Sequence, residues 1–510
     1  MSQAAPPLMS PGPLVAGDPP VPRRGPEPVG FALRDRHVAL VIGLVSLAVF
    51  GLAARIRRLH SSLSGDEPHY LIINTALQKY GSLDVMRVYE NRDYWSFYPG
   101  AITPHVAPGP HGLLSWHSIG GPLLWHLPYL VLGRTGAVAF IGVVSMLTVV
   151  NVFYFLRETG IAQLYAGIVA ALFAIGSPIY VYATMLFIEP IAALAILFAV
   201  RMVCRPTAGR WRMAVASAGL GALPWVHPRF IIFSGLIGGL LAWRLWRQRS
   251  DWRLYLWALG PLAVLLAALE VYNLVVWHSL DFAANMSSVG ASAFQVAPHT
   301  GLAGLLLDRS FGLVPNFPLL LLAVPGVLLA FGQGLRRDLQ RANVAILLTI
   351  VPYLLAVSTF AEWWGGFSPP GRYLAAVTPL LALYVAVFLQ RVNHLAATAG
   401  AVVLAAVSLA LGVIGDLNVV LRFNWPYWSD QQGQALDRLG ALVGLDPARF
   451  VPSSFLPGQT AAFGWWLAAL TGLSAGLWFV AHRRPPARRP PARRPYVSDR
   501  TSQSHTSSTR

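Results

Sequence analysis

Asp66 and Glu67 stand in tandem in the stretch SSLSGDEPHYLIINTAL, residues 61–77, followed by Pro68, His69 and Tyr70. A positioned carboxylate can take a proton from a hydroxyl as a general base. Other reactive side chains are spaced widely along the chain. Glu189 lies in MLFIEPIAAL, His227 and Arg229 lie in PWVHPRF, and Asp308 and Arg309 lie in LLLDRSFG. Glu362 and Arg372 bracket EWWGGFSPPGRY, which ends in Tyr373. An arginine fork can hold a phosphate through two parallel hydrogen bonds. It can also stabilise negative charge that builds up on a departing phosphate.

Each of these residues has a plainer reading. Asp66 and Glu189 both lie just before a proline, where a carboxylate can merely cap a helix. Glu90 and Asp93 read as solvated charges. His69, His105, His111 and His117 could ligate a divalent metal, although their spacing is irregular. Glu270, within LAALEVYNLVVW, reads as a buried, hydrogen-bonded carboxyl. Gly365, Gly366 and Gly371 allow close backbone approach, and Trp363 and Trp364 suit a membrane interface.

The elements that must position these groups are membrane helices. The chain has 510 residues, 55% of them hydrophobic and only 12% charged. Its mean hydropathy is +0.54. A soluble domain carries about 25% charged residues. Apolar runs near 38–54, 113–132, 136–156, 161–181, 187–203, 212–227, 230–246, 254–277, 317–335, 342–361, 372–390, 395–414 and 461–480 are long enough to span a bilayer. The fold class expected is an all-α polytopic membrane protein. The net charge of +17 is not a nucleic-acid footprint, because the arginines punctuate the apolar runs. Nucleic acid is therefore not an expected partner. The single cysteine, Cys204, excludes an internal disulfide and a cysteine-based metal site.

Arginine-rich connections at 201–212, 244–253 and 336–341, at Arg391, and from Arg483 onward are each separated by two runs, so all can be cytoplasmic. The first segments agree only if one run is not a span. The run 113–132 contains His117, Gly120, Gly121, Pro122, His126 and Pro128, and reads as an interfacial or re-entrant helix on the outer face. About 12 spans remain, within a range of 11–13, with both termini cytoplasmic. Residues 1–36 read as a disordered Pro/Gly-rich tail, 37–481 as the transmembrane domain, and 482–510 as a basic disordered tail. The outer loops are then 55–135, 278–316, 362–371 and 415–460. Arg55, Arg57 and Arg58 fall outside against the charge rule, where anionic head groups could bind them.

On this topology the carboxylates and arginines share one face, at the lipid boundary. These are the parts needed to transfer a group from a lipid-linked phosphate donor, with apolar helices holding the lipid chain. A multispanning transporter or lipid flippase is the alternative, and a non-catalytic envelope scaffold is a third reading. No internal repeat supports transport, and Glu270 is its best mid-span residue.

Three stretches resemble the GT-C superfamily of membrane glycosyltransferases, in particular the bacterial branch related to protein O-mannosyltransferases and lipid A aminoarabinose transferases. GDEPHYL is similar to the acidic motif after the first span. GGFSPPGRYL resembles the Gly-rich turn and Arg-Tyr before a late span. LLLDRSFGLVPNFPLLLLAVPG resembles a segment of bacterial members. The resemblance covers about residues 60–390 and omits 415–460. PPGRY departs from the family, where a single residue often precedes Gly-Arg-Tyr.

The resemblance implies a polyprenyl-phosphate sugar donor and an inverting transfer to a glycan, lipid or protein acceptor outside the cytoplasm. The setting is then a bacterial inner (plasma) membrane. By carry-over Asp66 is the base, with Glu67 as neighbour or substitute. Glu189 is a second acidic position and Arg372 grips the donor phosphate. His69, Tyr70, His227, Arg229, Arg309 and Tyr373 join the expected substrate-binding set. Some members of the superfamily bind a divalent metal and others do not.

Overall fold

The computed structural model describes residues 29–483, apart from 206–207, 288–295, 333–335, 424–433 and 457. It is dominated by helices, and among the described residues the only sheet is a two-stranded hairpin. Among the described residues six helices are long and apolar enough to cross a membrane: Arg34–His60, His126–Glu158, Pro228–Arg247, Trp252–Trp277, Arg337–Ser358 and Leu395–Leu417. Three shorter apolar helices, Gln163–Gly176, Pro318–Leu329 and Thr378–Val392, pack among them. A helix satisfies its own backbone groups, which is what hydrocarbon surroundings demand. The chain is a mostly helical membrane protein.

The surface is apolar in the same places. Along Val29–His60, Leu40, Val41, Leu44 and Val45 are exposed, and along Trp252–Trp277 so are Val264, Val271, Leu274 and Val275. Exposed branched side chains in such stripes belong against lipid tails. Phe153, Phe155, Phe173, Phe187, Ile196, Leu197, Leu383 and Tyr384 close the interior.

Several expectations need correction. Residues 113–132 are not one interfacial helix. They divide among the strand Gly112–Ser115, the short helix Gly120–Leu124 and the opening of His126–Glu158, which breaks at Gly133. The glycines and prolines of this run make it turn rather than continue. The run 317–335 is also broken, into Pro318–Leu322 and Ala323–Leu329. The expected tail 1–36 lies outside the described residues up to 28, and the chain is helical from Val29. The basic tail lies outside them beyond Arg483.

The helix directions gather the reactive residues at one end. Glu189 begins Glu189–Cys204, whose far end carries Arg201. Twelve residues of helix separate the two, roughly 18 Å. Arg201 and Arg205 pair with Glu158, and Arg157 pairs with Asp35, at that opposite end. His227 and Arg229 follow the end of Arg210–Val226, and EWWGG follows the end of Arg337–Ser358. Asn74 pins the first loop to this end: it accepts from Trp125 Nε1 at 2.8 Å and donates to the Pro122 carbonyl at 3.0 Å.

Candidate active site

Asp66 occupies the N-cap position of the helix Glu67–Tyr80, but its side chain caps nothing. It is instead bonded to Arg372 Nη2. Two glycines make this meeting possible. Gly65 has φ +59°, and a Cβ there would lie 2.6 Å from the Phe367 carbonyl oxygen. Gly371 has φ +70° and opens the turn Arg372–Ala375 in the left-handed conformation. The two backbones therefore approach closely enough for the side chains to join.

Arg372 is buried and spreads its donors over three acceptors. Nη1 donates to the Gly365 carbonyl at 2.7 Å, Nε donates to Glu189 Oε1 at 3.2 Å, and Nη2 donates to Asp66. Its guanidinium also lies 4.8 Å from the centre of the Phe187 ring. Glu189, fully buried, accepts a second bond from Arg229 Nη2 at 2.6 Å. Its other oxygen, Oε2, has no partner and lines a small cavity with Ser145, whose hydroxyl is also unpaired. Arg229 rests on the faces of Phe230 and Tyr373, at 4.6 and 4.7 Å. Asp66, Arg372, Glu189 and Arg229 thus form one alternating chain of charge.

Burial by itself pushes the Asp66 carboxyl up, but Arg372, then His117 and His69, overcome it and hold it well below the usual carboxylate range. Asp66 is therefore ionised at neutral pH, as a proton acceptor must be.

Glu67 has a different environment. Its two oxygens accept from Arg57 Nη1 at 3.0 Å, from Arg57 Nη2, from the Leu186 amide at 3.0 Å and from the Ser64 amide at 3.3 Å. Arg57 also donates to the Thr184 carbonyl at 2.6 Å. Reading Arg57 as a free charge for head groups is corrected: it is 1% exposed and neutralises Glu67. Beside this pair Arg422 binds Asp416 and donates to the Thr184 hydroxyl at 3.1 Å. Tyr180 donates to Asp416 at 2.9 Å. The tandem acids thus belong to two separate ion networks.

The other expected residues divide. Tyr373 lies beneath Arg229, and its carbonyl accepts from Tyr353 at 2.9 Å. Tyr70 is buried edge-on to His117 and Trp125. His227 accepts from the Arg229 amide at 3.2 Å through Nδ1, capping the turn that presents Arg229. Arg309 is drawn elsewhere: its amide donates to the Pro452 carbonyl at 2.8 Å, and its side chain faces Asp437 at 3.9 Å. Asp308, also buried, accepts from the amides of Ser310 and Phe311. Phe455, further along the same segment, stacks on Trp363 with centroids 5.6 Å apart.

His69, His105 and His117 come together, and they are the residues of this loop that could hold a metal. His111 lies apart, facing His278 at 6.3 Å. Arg57, Asp416 and Arg422 were not in the expected site. The sequence signal available for the last two was a carboxylate and an arginine six positions apart at the edge of an apolar run, in GDLNVVLR.

No protein-family model and no curated protein matches the chain. Among solved structures it is similar to the oligosaccharyltransferase of Archaeoglobus fulgidus in the apo form, with 14% identity and a TM-score of 0.47, over 77% of this chain and 57% of that one. The chain thus spans little more than half the length of that protein. It is also similar to ArnT from Cupriavidus metallidurans bound to undecaprenyl phosphate, with 16% identity and a TM-score of 0.45, over 89% of this chain and 78% of that one. Both are glycosyltransferases of the GT-C fold, the superfamily that GDEPHYL and GGFSPPGRYL of this chain resemble.

Proposed function

We propose that this protein is a membrane glycosyltransferase that moves a sugar from a polyprenyl-phosphate donor to a hydroxyl of a glycan, lipid or protein acceptor. The setting is the bacterial plasma membrane, with both termini cytoplasmic and the site on the outer face. The observation that carries this reading is the placement of one buried arginine, Arg372, between two carboxylates of different character.

Asp66 is the general base. It accepts the acceptor's proton while the hydroxyl oxygen attacks the anomeric carbon from the face opposite the lipid phosphate, which inverts the configuration. The C–O bond to phosphate breaks and the electron pair leaves on the lipid phosphate. Arg372 and Arg229 lie where that charge can be met. Glu189 fixes the pitch of both guanidinium groups. Glu67 holds the helix that carries Asp66 and takes no part in proton transfer. Three donor nitrogens of Arg372 are engaged, and two N–H groups remain for a phosphate oxygen.

The test is transfer in membranes supplied with radiolabelled polyprenyl-phosphate sugars, comparing wild type with Asp66→Asn and Arg372→Ala at equal expression. Transfer by wild type that collapses in both variants is expected. Transfer unaffected by either change overturns the assignment. It would turn attention to Glu270, whose Oε2 is buried without a partner, and to transport.

A further inference from the structure

One set of side chains converges beside Asp66 and could hold a ligand of its own. His69 lies in the first turn of Glu67–Tyr80. His105 precedes the strand Val106–Gly109, and His117 follows the strand Gly112–Ser115 by two residues. The hairpin sets Val106 opposite Ser115, so its open end brings the two flanking histidines together. The Trp116 amide donates to the His105 carbonyl at 3.4 Å and closes that end. His105 Nδ1 and His117 Nε2 then lie 2.9 Å apart. The His69 ring lies parallel to that of His105, with centroids 3.7 Å apart, and 5.3 Å from that of His117. One nitrogen from each of the three rings lies within 4.8 Å of the others.

The orientation of His69 is fixed from behind. Tyr89 Oη lies 2.8 Å from His69 Nδ1, which leaves Nε2 as the nitrogen available to a cation. An oriented ring of this kind is what a metal-ligating histidine requires. Burial also keeps the rings uncharged. It pushes His117 down to about 4 and His69 to about 2, and lowers His105. Neutral imidazole is the form that donates a lone pair to a cation. Three such nitrogens lie within 4.8 Å of one another, and with one proton shared between His105 and His117 they keep lone pairs that a cation would satisfy.

We infer that His69, His105 and His117 form a three-histidine site for a divalent transition metal of the zinc class. A set made of imidazole nitrogens, with no carboxylate among the three, suits zinc or its late neighbours and disfavours magnesium and calcium. Three protein nitrogens leave a position for water or another oxygen ligand. The site joins the hairpin to the helix that carries Asp66. The inference is independent of the transferase reading, since metal content can be scored whether or not sugar is transferred.

The full-length protein in detergent is stripped with chelator, offered equimolar Zn²⁺ or Mg²⁺, desalted and assayed for bound metal and Tm. One zinc per chain with a raised Tm, and no retained magnesium, is expected. His105→Ala and His117→Ala lose the zinc, while His111→Ala keeps it. Tyr89→Phe, which preserves the ring and its packing, weakens zinc about 10- to 100-fold. Where an alanine variant elutes aggregated, the wild type loaded with Co²⁺ decides: visible absorption of a nitrogen-ligated tetrahedral ion supports the site. A wild type that retains no zinc and gives no such spectrum overturns the inference. So does zinc retained equally when His105 and His117 are both replaced.

Discussion

The Asp66 carboxylate and the Arg372 guanidinium, 306 positions apart in the chain, are bonded side chain to side chain at one end of the bundle. Asp66 could have capped its own helix and does not. The carboxylate is left facing the one arginine that also touches Glu189 and Gly365.

Asp66→Asn keeps the shape and a hydrogen-bond acceptor but cannot take a proton. Transfer is expected to fall about 100- to 10,000-fold, with Tm within a few degrees of wild type. Single-turnover transfer and a thermal melt on the same preparation check both halves. A variant that retains full rate contradicts the role.

Glu67→Gln gives the opposite pattern. It leaves Arg57 charged in a buried place, where breaking such a pair costs about 3–5 kcal/mol. The expected outcome is a large loss of thermal stability, with whatever folds retaining kcat. Arg57→Met combined with Glu67→Leu is expected to be more stable than Glu67→Gln, because neither charge is then left alone. Denaturation of all three in one detergent measures it.

Arg372→Lys tests geometry rather than charge. An ammonium cannot reach Asp66, Glu189 and the Gly365 carbonyl at once while also meeting a phosphate. Transfer is expected to drop at least about tenfold, chiefly through KM for the donor, and Arg372→Ala to drop further. Equal rates for arginine and lysine would show that a point charge is enough.

The histidine cluster makes the metal-free protein acid-sensitive. The folded state holds His117 at about 4, against an ordinary value of 6.5, mainly through burial. As pH falls below the ordinary value the unfolded chain takes up a proton that the folded chain does not. Stability is therefore present above about 6.5 and is lost as pH falls toward 4. Melts of chelator-stripped protein are expected to show Tm lower by several degrees at pH 5 than at pH 7.5. Replacing His117 with Phe, which has no such proton to gain, is expected to reduce that difference.

Much of the site could be read from residue types alone. Asp66, Glu189, Arg229 and Arg372 stand out in the sequence as polar groups at the edges of apolar runs, and they form one connected chain. A charge at membrane depth needs a reason, and that is what singles these four residues out. Residue type could not divide the tandem acids, because the partner of each is set by packing. Glu67 takes Arg57 from the preceding helix and the Leu186 amide 119 positions away. Arg57 fits the expected charge rule poorly for the same reason, since it is an internal counter-ion, whereas Arg55 and Arg58 are exposed. The three histidines looked irregular because the hairpin folds their spacing back on itself. Arg309, an expected binder, is drawn away to Asp437 and Pro452, in a segment that the family resemblance did not cover.

The chain Asp66, Arg372, Glu189 and Arg229 carries two negative and two positive charges. Without a ligand it is electrically balanced, which matters in a place where little water reaches. A phosphodiester arriving there brings one negative charge, and the sugar-free lipid phosphate left after transfer can carry a second. On the proposed mechanism Asp66 is neutralised by the acceptor's proton, and the network is left with one positive charge in excess to meet the second negative charge of the lipid phosphate. The total charge of the site would then be the same before and after transfer, so a turnover would not require an ion to enter or leave a buried place.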